Sequence, residues 1–172
     1  MKRVLARLDK VHAQINATVA ELDNDWFQRQ PPDGGWSVAE IIQHLNLVED
    51  RVTKDLKKSF AAPGARVGML RRFIPTSIVA SRIVRVQAPK GVNPTNAPEK
   101  QAVIENFNDA RARLKSLCAE KDTRDFRQVT FTHPFLGKID GVAAVSFLGY
   151  HEKRHYKQIH EVLRKLKSSD QK

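Results

Sequence analysis

Apolar residues recur at steps of three and four along most of the chain, which is the signature of amphipathic helices. Val4, Leu5, Leu8, Val11, Ile15, Val19 and Leu22 form one such stripe and predict a first helix over about 2–26. Pro31-Pro32-Asp33-Gly34-Gly35 ends it, because proline cannot continue a helix and glycine supplies turn geometry. Ser37-Val38-Ala39-Glu40 then reads as a capping box that opens a second helix. Val38, Ile41, Leu45, Val48, Val52 and Leu56 are its inward stripe, to about residue 60. A third helix is expected over about 99–120, with Val103, Ile104, Phe107, Ala110, Leu114 and Leu117 on one face. A fourth is expected over about 141–167 on Val142, Val145, Leu148, Ile159, Val162 and Leu166.

Between these stretches the pattern weakens. Pro63-Gly64, Pro75, Pro89, Pro94 and Pro98 interrupt residues 61–100, where a short helix around 76–85 is the one regular element expected. Residues 126–131 read as briefly extended and His133-Pro134-Phe135-Leu136-Gly137 as a turn. Four long amphipathic segments and no convincing sheet predict an all-α four-helix bundle. One domain over 1–172 is expected, with the irregular segment 61–100 as a crossover between the second and third helices.

Composition agrees: 172 residues suffice for one core, and aromatic content of 7% with eight glycines suits helices better than a sandwich. A single cysteine, Cys118, excludes an internal disulfide. No apolar run resembles a signal peptide or reaches the roughly 18–20 residues of a membrane span, so a cytoplasmic protein without membrane contact is expected. Net charge is +11, distributed as zero over 1–60, +6 over 61–100 and +5 over 101–172. The basic middle segment, with Arg66, Arg71, Arg72, Arg82, Arg85 and Lys90, suits a flap over a site for an anionic ligand. A disordered insertion, or a solvated face that aids solubility, fits the same composition.

Candidate chemistry lies in the fourth helix. His151 and His155 are four residues apart, so both rings share one helical face and can converge on one ion. They also continue the stripe from Leu148 to Ile159, which turns them inward, where a polar group needs a partner. The run His151-Glu152-Lys153-Arg154-His155 formally matches the zinc-protease pattern, but a short helical bundle is an unlike setting for it. His44, at the edge of the second helix's stripe, can join the pair if the second and fourth helices are neighbours; alone it reads as a core-edge histidine satisfied by a carbonyl or water, the commoner fate of a lone histidine.

Trp36-Ser37-Val38-Ala39-Glu40 with Ile42-Gln43-His44-Leu45 resembles the second-helix signature of the DinB-like (YfiT-like) superfamily. His133-Pro134-Phe135-Leu136-Gly137-Lys138-Ile139, followed by 151–159, resembles its C-terminal signature, about 100 residues further on. The resemblance implies an up-down-down-up bundle and a divalent transition metal held by His44, His151 and His155. Zinc or nickel is the leading candidate, with iron and manganese also found in the family. His12 and Gln158 are candidates for supporting or substrate contacts, whereas His133 reads as ordering the turn and His160 as facing elsewhere.

Three neutral imidazoles leave coordination positions open, as catalytic sites do. The resemblance implies a metal-dependent transfer of a low-molecular-weight thiol to an electrophile, or a metal-dependent hydrolysis. The expected partners are a small molecule, anionic or a thiol, and a second copy of the chain in a homodimer. Two further readings stand beside these: a non-catalytic basic module that binds nucleic acid, although no DNA-reading motif is present, and a family member that binds metal without turnover.

Overall fold

The computed structural model describes residues 1–62, 91–95, 99–134 and 136–171. The short helix expected at 76–85, and the arginines of the proposed flap, lie outside them. Four long helices dominate: α1 (Lys2–Ala20), α3 (Val38–Ala61), α4 (Lys100–Glu120) and α6 (Gly141–Asp170). Two short helices, α2 (Asn24–Gln28) and α5 (Thr123–Phe126), and one hairpin, β1 (Thr130–His133) with β2 (Gly137–Asp140), complete the order.

The expected first helix is in fact two. Helix α1 ends at Ala20, and Asp23 takes an extended conformation whose carboxylate accepts from the Trp26 amide, restarting the chain as α2. The capping competition of a short acidic side chain outweighs the continuing apolar stripe. At α3 the capping box is formed as expected: Ser37 Oγ accepts from the Glu40 amide at 3.2 Å and Glu40 Oε2 accepts from the Ser37 amide at 2.8 Å.

The hairpin is the other departure. Phe126 closes α5, which Asp122 caps, and the extended stretch begins only at Thr130. Thr130 pairs with Asp140 and His133 with Gly137, so the expected turn at 133–137 is the hairpin connection. Gly137 lies at φ 67°, a conformation that favours glycine. Each strand has only four residues, too few for a two-residue period to stand out in sequence.

Partner pairs fix the helix directions. Glu49 and Asp50 of α3 meet Arg111 and Arg113 of α4 in the same order, so these helices run parallel. Helices α1 and α6 are also parallel, with Arg7 on Tyr150 and Arg29, after α2, on Asp170. Asp9 pairs with Lys115 while Asn16 pairs with Asn108, which makes α1 and α4 antiparallel. The bundle is therefore up-down-down-up.

Its core has two apolar blocks. One gathers Leu8, Val52, Leu56, Leu114, Val145 and Leu148 around the hairpin end. The other gathers Ile15, Phe27, Ile41, Phe107, Ile159 and Val162 at the far end. In sequence, α4 crosses from one block to the other through buried Arg111, and α6 through buried Glu152 and His155. On α1 buried His12, and on α3 buried His44 and Glu49, stand one residue outside the crossing. The middle of the bundle is thus a polar layer, and the candidate metal ligands belong to it.

Candidate metal centre

Helices α3 and α6 pack antiparallel, which brings His44 against His151 and His155. One ligand nitrogen from each ring can be chosen so that all lie within 4.8 Å of one another. His44 Nε2 is 3.3 Å from His151 Nε2, and the ring centres of His151 and His155 are 4.5 Å apart. With Zn–N bonds of about 2.0–2.1 Å, tetrahedral ligands stand about 3.3 Å from each other. The donor set and its spacing fit a divalent metal.

The opposite nitrogens fix the tautomers. His44 Nδ1 donates to the carbonyl of Val92 at 2.7 Å, and His155 Nδ1 donates to Gln158 Oε1 at 2.9 Å. Each neutral ring therefore keeps a bare Nε2 lone pair, the arrangement found around metal-binding histidines. Burial, opposed by the Val92 hydrogen bond, lowers the His44 pKa. Burial, and then the neighbouring His155 and His44, hold His151 well below the ordinary histidine range. Lone pairs are therefore available at neutral pH.

Aromatic rings wall the site. The Trp36 ring lies 5.0 Å from His44 and stacks 6.4 Å from His155. Phe147, one turn before His151, lies 5.2 Å from its ring and 4.4 Å from that of His133. His133 Nδ1 accepts from the Leu136 amide at 3.1 Å, which fits the turn-ordering role expected of it. Burial pushes its pKa down to about 4.

Of the two supporting candidates, Gln158 touches a ligand, through His155. His12 stacks on Phe107 at 4.1 Å, bonds Asn108 Oδ1 through Nε2 at 2.8 Å and places Nδ1 3.7 Å from Glu152 Oε1. These contacts face α4 and Glu152. Glu152 pairs with Arg111 through Oε1 while its Oε2 is buried without a hydrogen bond, and Glu40 is held in its capping box. His160 is exposed, as its spacing predicts. Burial pushes the Cys118 thiol up to about 11, which leaves it a poor nucleophile at neutral pH.

Two contributors were not legible in the sequence. Val92 belongs to the irregular segment, and only its carbonyl acts, so no side-chain pattern marks it. Gln43, beside His44, anchors the same stretch by accepting from the Thr95 amide at 3.1 Å. The described end of the basic segment therefore lies against the site.

A bundle of this topology with three histidines from two antiparallel helices defines a class of histidine-lined helical proteins. The profile of the DinB superfamily matches residues 7–159, and the chain belongs to that superfamily. The uncharacterized protein YuaE of Bacillus subtilis (strain 168) is 24% identical over 147 residues, covering 84% of this chain and 88% of that protein. TT2238, described as a four-helix bundle protein, superposes with a TM-score of 0.63 at 21% identity, covering 93% of this chain and 98% of its own. YfiT from Bacillus subtilis superposes with a TM-score of 0.68 at 17% identity, over 96% and 87%. YfiT is described as a probable metal-dependent hydrolase with an unusual four-helix bundle topology.

Proposed function

We propose that the protein is a divalent-metal-dependent enzyme acting on a small molecule, with His44, His151 and His155 as ligands. The observation that carries this reading is the convergence of three buried or half-buried imidazoles, two of them with Nδ1 already committed to acceptors. Neutral imidazole donors suit zinc or nickel, with iron or manganese less favoured. Bound there, the metal supplies a Lewis acid that lowers the pKa of water or a thiol at its open positions.

The chain's own groups set up that chemistry. The Val92 carbonyl and Gln158 orient the rings, and Trp36 and Phe147 limit water around them. Glu40 is taken up by its capping box and Glu152 Oε1 by Arg111, which disfavours both of the carboxylates nearest the ligands in sequence as a base at the site. That favours transfer of a low-molecular-weight thiol, whose ionisation at the metal is the main demand, over a reaction that relies on a protein carboxylate. Hydrolysis is the second reading, favoured by the description of YfiT.

Metal-loaded protein, assayed with a panel of small thiols and an alkylating electrophile, is expected to accelerate thiol consumption, and a chelator to remove the acceleration. Chelator-sensitive cleavage of activated esters, with no thiol transfer, would move the assignment to hydrolysis. Neither activity from fully loaded protein would count against an enzyme and leave a metal-binding protein without turnover.

A further inference from the structure

A single nitrogen joins the two helices that carry the histidines. Arg111 of α4 donates through Nε to Glu49 Oε1 at 2.8 Å and through Nη2 to Glu49 Oε2 at 3.1 Å. The same Nη2 donates to Glu152 Oε1 at 2.5 Å. All three side chains are at most 5% exposed. Glu49 belongs to α3 with His44, and Glu152 to α6 with His151 and His155, while α4 supplies none of the three histidines.

The spacing on each helix matters. At about 100° per residue, Glu152 projects about 100° round the α6 axis from His151, and Glu49 about 140° round α3 from His44. A carboxylate pulled toward α4 therefore limits how far its helix can rotate, and so where its histidine points. His12 closes the arrangement from α1, against Glu152 and Asn108. Two carboxylates sharing one buried guanidinium make an ionic layer that is costly to desolvate, and apolar residues of similar volume are often at least as good for stability. Orientation is what the ionic layer adds over an apolar one.

We infer that Arg111 is a positioning residue for the metal centre, fixing the rotation of α3 and α6 by binding Glu49 and Glu152 together. The inference rests on the metal-ligand reading of His44, His151 and His155. The test uses Co2+ as probe, on the full chain, with a competing chelator to measure affinity and the visible absorption of the saturated protein to report ligand geometry.

For Arg111→Met, far-UV circular dichroism is expected to stay native while Co2+ affinity falls at least about tenfold, the lower end of effects seen when groups orienting metal ligands are lost. The absorption bands of the saturated variant are expected to shift in position or intensity. A folded Arg111→Met protein with the affinity and spectrum of the unaltered chain would overturn the inference. Should that variant not fold, the same criteria apply to Glu49→Gln/Arg111→Met/Glu152→Gln, which leaves no buried charge unpaired among the three. Failure of the unaltered chain to bind Co2+ would instead overturn the metal reading, and the inference with it.

Discussion

His44, His151 and His155 differ from other buried histidines in what surrounds them: an acceptor on Nδ1 of two rings, and another imidazole facing the remaining nitrogen. Gln158→Leu removes one such acceptor without touching a ligand, and zinc affinity measured by chelator competition is expected to fall about 10- to 100-fold. Titration at this scale has two opposing signs. His133, held near 4 by burial against an ordinary 6.5, loses stability as pH falls through that window, because the unfolded chain takes up the proton first. Burial, opposed by the hydrogen bond to Arg111, pushes Glu49 up to about 7 from an ordinary 4.5, so its contribution runs the other way and is lost as pH rises from about 4.5 to 7. Glu49→Gln removes the second effect. Urea midpoints of the metal-free protein between pH 7 and pH 5 are therefore expected to decline more steeply in Glu49→Gln than in the parent; equal slopes would contradict this.

The elements show which parts of the fold are readable from a linear pattern. Helices α3, α4 and α6, of 24, 21 and 30 residues, follow from their apolar stripes, and the Ser37 box marks the start of α3 to the residue. The break at Asp23 and the strand pairing on either side of the expected 133–137 turn were not legible, because short-range capping and two four-residue strands leave no periodic trace. The site divides in the same way. The three histidines are marked by spacing and by two local motifs, whereas the Val92 carbonyl and the Arg111 bridge depend on residues distant in sequence meeting across helices. The stretch from α5 to β1 also constrains α6, since a Cβ on Gly141 would lie 2.7 Å from the Phe126 carbonyl and 2.9 Å from Val129 Cγ2. Gly141→Ala must displace backbone, and thermal unfolding is expected to show a loss of roughly 1–3 kcal/mol. Ser37→Ala, by contrast, is expected to cost about 1 kcal/mol.

Across the whole molecule, the balance of charge bears on the class of ligand. Some exposed cations in the described helices have acidic partners, among them Arg113 on Asp50 and Lys165 on Asp33 and Glu161. The densest net charge, +6, lies in 61–100, whose described residues 91–95 are fastened beside His44. A site of buried and half-buried histidines in the middle of the bundle agrees with a small molecule more than with a nucleic-acid surface. Binding of generic duplex DNA is expected to be weak and to vanish at about 200 mM salt, as counterion release dictates. Tight binding that survives that salt would support the nucleic-acid reading instead. No described helix is long and apolar enough to cross a membrane.

Three histidines in the polar middle of the bundle are proposed to hold a divalent metal. Elemental analysis of protein purified without an immobilised-metal column decides whether they do, paired with His151→Ala/His155→Ala treated identically. About one equivalent of zinc or nickel per chain is expected for the parent, none for the double variant, and a thermal midpoint that rises when metal is added back. Less than about a tenth of an equivalent of any transition metal, with a midpoint unmoved by zinc or nickel, would contradict it.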